Sequence, residues 1–150
     1  MTSEPTARDW IAEMGKRREY LRELLAGDDP RFAERPPNGK WSVIENLQHL
    51  LFAEQAHFLR YLENPPPWSP LALAPTGMQS QKRLAGLGQP TASAREVLDA
   101  WAEVHESTKT LASSDSPQLL NRLERHVRHL NAHVKVIERL LRAHGTGPGS

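Results

Sequence analysis

Cysteine is absent from this 150-residue chain. Disulfides, thiolate metal sites and a cysteine nucleophile are therefore excluded, and any thiol chemistry must bring its thiol on another molecule. Charge of one sign is lacking too: 19 Lys and Arg stand against 18 Asp and Glu, a net +1, with no long block of either. A protein that binds DNA through its phosphates needs a basic face, and this balance argues against nucleic acid as a partner. No stretch approaches the ~20 apolar residues of a membrane span, and the N-terminus lacks the basic-then-apolar pattern of a secretory signal. A cytoplasmic protein without membrane contact is expected. Also missing are a Gly-rich phosphate loop, a Gly-x-Ser-x-Gly elbow, a paired Asp/Glu motif and any internal repeat. Aromatics are scarce at 6%, but 38% hydrophobic and 25% charged residues describe a slightly polar globular chain, not a disordered one. Its length is that of one domain.

Helical periodicity is present in four segments, and convincing strand alternation in none. The first runs over 6–26, with Thr6 as N-cap and Gly27 past the end. The second runs over 43–63 and opens with Ser42 and Glu45 spaced as a capping box. The third runs over 92–112 on a stripe of Val97, Trp101, Val104, Thr108 and Leu111. The fourth starts after Ser116, with Pro117 in its first turn. Its apolar positions Leu120, Leu123, Val127, Leu130, Val134, Ile137 and Leu141 alternate by three and four.

The fold class is all-α, a four-helix bundle. Helices three and four are joined by only 113–116 and are expected to be antiparallel neighbours. Helices two and three are separated by 64–90, which holds six of the 12 prolines. A loop this long is usually functional or a crossover, and it can travel the ~30 Å length of a bundle. The expected order is up-down-down-up, with a short helix near 77–85 in the crossover. Residues 1–144 form the bundle, and 145–150 read as a flexible tail.

Three of the seven histidines, His126, His129 and His133, fall on one face of helix four, at its apolar border. His129-x-x-x-His133 is the i, i+4 pair through which two imidazoles reach one ion. His49 lies on helix two, ~10 Å from its start, while His133 lies ~15 Å from the end of helix four. If these helices are antiparallel, as the crossover favours, the two histidines stand at nearly one level. Three imidazoles with an open position suit Zn²⁺, Ni²⁺, Fe²⁺ or Mn²⁺ in a catalytic arrangement. Such an ion lowers the pKa of bound water or stabilises a thiolate. The bland reading of the helix-four pair is a polar flank, and that of His49 a core histidine.

The chain resembles the DinB-like family, the DinB/YfiT-like metalloenzymes. The likeness rests on Gly39-Lys40-Trp41-Ser42, Glu45, His49-Leu50, Glu54 and the later His129-x-x-x-His133, and it covers nearly the whole chain. It implies a three-His metal centre at His49, His129 and His133, with His126 as a competitor for either helix-four position. It also implies a stress-response setting, a homodimer, and a thiol transferase drawing on a low-molecular-weight thiol as cofactor. Lys135, two residues past His133, departs from the pattern of the sulfoxide-synthase relatives.

Taken together, these features predict a divalent-metal-dependent transferase or hydrolase acting on a small electrophile, its catalytic residues and substrate unassigned. The alternative is a non-catalytic dimeric helical stress-response module without functional metal. Trp10, Ile11 and Met14 add an apolar surface that favours pairing. Glu54 reads either as a partner for a ligand histidine or as a structural carboxylate. His57 reads as a surface residue, and His105 as a second partner or a solvated flank. Trp68 reads as a cavity cap or a loop anchor, and Trp41 as a packing residue before helix two.

Overall fold

The computed structural model describes residues 4–144. Those residues hold four α-helices and no strand: α1 (Ala7–Leu24), α2 (Val43–Phe58), α3 (Ala94–Thr108) and α4 (Pro117–Ala143). The tail expected to be flexible, 145–150, lies outside the described residues.

Each helix starts where a side chain satisfies its orphan amides. Thr6 caps α1 and, with Asp9, forms a capping box that the sequence reading did not single out. Ser42 and Glu45 form the expected box at α2, and Ser116 accepts from the Leu119 amide at α4. Helices two and three end earlier than the periodicity suggested. Their last turns tighten into 3-10 turns, Leu59–Tyr61 and Lys109–Leu111. The helix expected near 77–85 is likewise two 3-10 turns, Thr76–Met78 and Lys82–Leu84, because so short a segment cannot repay helix nucleation.

Side-chain pairings give the directions. Asn46 and His49 on α2 meet His133 and His129 on α4, while His57 meets His126, so this pair is antiparallel. Arg22 pairs with Asp99, and Gly15 packs against His105, so α1 and α3 are antiparallel. Tyr20 donates to Glu138, and Arg31, just past α1, reaches the carbonyl of His144, so α1 and α4 are parallel. Helices α2 and α3 therefore run parallel, and the order is up-down-down-up. Helices α3 and α4 are antiparallel but not the close neighbours expected. Each packs on α1 and α2, and the two occupy opposite corners. The 3-10 turn Lys109–Leu111 leans on α1 and carries the short link across the end of the bundle.

The core runs through all four helices. Met14 and Leu21 from α1, Leu47 and Phe58 from α2, Trp101 from α3, and Leu123 and Leu130 from α4 are almost fully buried. Each such side chain contributes roughly 1.5–3 kcal/mol of transfer free energy. On α4 the stripe begins at Leu119, not Leu120, which is only half-buried. Two ties position the ends. Asp28, in the left-handed region at φ 50, accepts from the Ser93 hydroxyl (2.9 Å) and the Ala94 amide (2.7 Å), joining the end of α1 to the start of α3. Asp tolerates this conformation better than most residues. The Gln48 side chain donates to the carbonyls of Leu71 (3.0 Å) and Gln89 (2.8 Å), and the Gln48 backbone carbonyl accepts from the Leu73 amide (3.0 Å). The crossover is thereby pinned to α2 at 71–73 and again near its end, at Gln89.

Candidate metal centre

His49 is buried one turn into the middle of α2, and His129 and His133 are half-buried on the facing side of α4. One ring nitrogen from each lies within 4.8 Å of the other two, so the three can hold a metal ion. Two of the rings are oriented by outer contacts. His49 donates from Nδ1 to the Leu73 carbonyl (3.2 Å), and His133 donates from Nδ1 to Asn46 Oδ1 (2.8 Å). The Asn46 amide is itself fixed, since its Nδ2 donates to the Ser42 carbonyl (2.8 Å). Each Nδ1 hydrogen bond leaves an Nε2 lone pair facing inward, the arrangement metal-binding imidazoles require. His129 Nε2 stands 3.4 Å from His49 Nε2. Two nitrogens on one tetrahedral zinc-like ion stand about 3.3 Å apart. His129 Nδ1 is buried without a hydrogen-bond partner. The donor set fits a divalent ion with room for a further ligand.

The electrostatics agree with this geometry. Burial pushes His49 and His133 down to about 4, and burial also lowers His129. All three imidazoles are therefore neutral at neutral pH, the form that binds metal. Trp41 lies against His49 with ring centroids 5.0 Å apart, so the residue read as helix-start packing also shields the site.

A cavity of about 930 Å³ opens onto His49 and His129. Its walls come from α2, from α4 and from the Pro-rich crossover, which contributes Pro65, Pro66, Trp68, Pro75 and Met78. Trp68 packs edge-on against Phe52 at 5.3 Å, so it both anchors the crossover and walls the cavity. The model of the DinB superfamily matches residues 13–143, which include all three histidines and the α2 capping box. The chain belongs to the DinB superfamily. No curated protein matches it, and no solved structure does.

In this DinB-superfamily bundle the remaining singled-out residues are placed as follows. His126, the competing ligand, stands outside the three-His group. Its Nδ1 is 2.9 Å from Nδ1 of His57, and its ring lies on Phe58. His126 Nε2 is buried without a partner. A proton there would be an unsatisfied buried donor, so His126 donates from Nδ1, and His57 carries its proton on Nε2. Burial holds His126 at about 3 and His57 at about 4, the latter helped by the nearby Arg122 charge. His57 is a half-buried cavity residue, not the surface histidine expected. Glu54 does not reach any of the three clustered histidines. Fully buried, it accepts from Trp101 (2.9 Å), His105 (3.1 Å) and Thr108 (2.8 Å), which makes it the structural carboxylate tying α2 to α3. Burial alone would raise its pKa, but the hydrogen bond and charge of His105 outweigh that and lower it. His105 is accordingly buried against Glu54, and neither solvated nor beside the three-His group.

Asn46, Gln48 and the Leu73 carbonyl were missed by sequence reasoning. Asn46 carries a readable signal, since it precedes His49 by three residues on the same helix face. The Leu73 carbonyl carries none, because only the folded crossover brings it to α2.

Proposed function

We propose that the protein is a divalent-metal-dependent enzyme acting on a small electrophilic molecule, as a thiol-dependent transferase or a hydrolase. The observation that supports this reading most is the convergence of His49, His129 and His133 at the end of a sizeable cavity. The metal, of the Zn, Ni, Fe or Mn class, would supply Lewis acidity that lowers the pKa of a water or thiol and yields a nucleophile near neutral pH.

The chain's own residues bind, orient and shield. His49, His129 and His133 would hold the ion through nitrogen, with the Leu73 carbonyl and Asn46 fixing two of the rings. Phe52, Trp68 and Met78 supply an apolar wall that limits water around the reacting molecule. His57, protonated on Nε2, offers the cavity a neutral hydrogen-bond donor.

Elemental analysis of protein purified without a His tag tests the reading. One equivalent of metal, lost on His49→Ala and again on His133→Ala, is the expected result. Metal-free protein whose melting is unchanged by both substitutions would overturn it in favour of a non-catalytic helical module.

A further inference from the structure

The cavity beside the three histidines is cationic, and nothing in the metal-centre reading uses that charge. Arg60, Arg83, Arg122 and Arg125 all line it, and no Asp or Glu does. None of the four forms an ion pair among the described residues. Arg83 donates to the Gln81 amide oxygen, and Arg60 lies over the neighbouring Tyr61 ring at 6.0 Å. Arg122 and Arg125 have no hydrogen-bond partner among the described residues. Elsewhere, Arg17, Arg22, Arg31, Arg35 and Arg128 each sit against a carboxylate.

A second, independent observation lies on the same wall. Gln55 is about 1% exposed, and its Oε1 accepts from the Ser69 amide. Its Nε2 is buried with no acceptor, although the residue lines the cavity. A buried amide donor without a partner is costly unless something supplies the acceptor. The wall thus offers guanidinium groups, an unmet amide donor and the Nε2–H of His57, and no acceptor of comparable strength. That set is complementary to a carboxylate.

Helix geometry sets where the anion stands relative to the metal site. Arg125 and Arg122 precede His129 by four and seven residues on one face of α4, so they lie ~6 and ~10 Å along the helix from it. Because α2 runs antiparallel and His57 meets His126, Arg60, three residues past His57, comes near the level of Arg122, four residues before His126. From these observations we propose that the cavity binds a carboxylate-bearing small molecule, its anionic end held by Arg122, Arg125 and Arg60 and its reactive end ~6–10 Å away at the three histidines. This deepens the metal-centre reading, and the second half of the proposal rests on it.

The test compares 6-mercaptohexanoate with 6-mercaptohexanol, which share a thiol and a chain length but differ in the charged end. Both are titrated into metal-free protein and into Co²⁺-loaded protein, following the Trp68 indole N–H resonance in the first and the cobalt spectrum in the second. In metal-free protein the acid should bind at least about tenfold more tightly than the alcohol. The preference should shrink between 0.05 and 0.5 M salt. It should vanish in Arg122→Gln/Arg125→Gln, whose circular dichroism and melting temperature should match those of the parent. In cobalt-loaded protein both thiols should perturb the spectrum, the acid at lower concentration. Equal binding of acid and alcohol to the metal-free protein would overturn the anion site, whatever the metal does. An acid preference that survives the double substitution would overturn it equally. Protein that takes up no cobalt while still preferring the acid would defeat the metal reading and leave the anion site standing.

Discussion

Asn46 does not line the cavity beside the histidines, yet it governs one of the three clustered rings through a 2.8 Å hydrogen bond to His133. Asn46→Leu is expected to lower zinc affinity 10–100-fold, whereas Asn46→Asp, which still accepts from Nδ1, should retain most of it; chelator competition measures both. His129→Ala should strip most of the metal, and His126→Ala should leave the metal in place, because His126 is engaged with His57 and not with the cluster. A reversed outcome would mean that the wrong pair on α4 binds. The pH behaviour follows from the same burial. An imidazole held near 4 in the fold but near 6.5 when unfolded binds protons more readily in the unfolded chain. The metal-free fold should therefore be at full stability above about 6.5 and lose stability as pH falls toward about 4. Metal affinity, set by the folded-state values, should hold to lower pH than ordinary imidazoles titrating near 6.5 would allow, and then drop. Melting curves and metal titrations over that range check the two halves separately.

At the scale of the element, α2 carries the most. Its capping box fixes where the helix begins, and its first turns place Asn46, Gln48 and His49 in succession. Ser42→Ala should cost about 1 kcal/mol of stability, read by denaturant unfolding, and more if loss of the cap disturbs the Ser42 carbonyl that holds Asn46. The start of α2 was legible in the sequence because a capping box is a local pattern, as is the i, i+4 histidine pair of α4. What stayed hidden was long-range. Nothing in the sequence near Gln48 shows that its amide grips the carbonyls of Leu71 and Gln89. Gln48→Leu should free the crossover from α2, and limited proteolysis within 64–90 should accelerate while helical content is kept. His57 was misjudged for a related reason, since its burial comes from α4 and the crossover, not from α2 periodicity.

The whole molecule follows from one loop length. The long connection between α2 and α3, residues 59–93, lets the two run parallel, and that brings His49 level with the α4 pair. The diagonal placement of α3 and α4 was not legible, because a short link fixes only where two helix ends meet, not which sides pack. Pairing of two copies is a proposal that the exposed surface of α1 supports only at Trp10. Ile11 and Met14, expected to be surplus apolar surface, lie in the bundle's own core, and only Trp10 is left half-exposed. Light scattering at micromolar concentration should find a dimer, and a monomer would end that reading. The wide chain separation of the clustered histidines has a kinetic consequence. His49 and His129 are 80 residues apart, and Asn46 and His133 are 87 apart. Closing loops of that length is late work for a folding chain, so the three nitrogens converge only when α4 docks. A divalent ion should therefore leave the refolding rate almost unchanged and slow unfolding in proportion to the stability it adds. During synthesis, the three histidines cannot converge until α4 has cleared the ribosome.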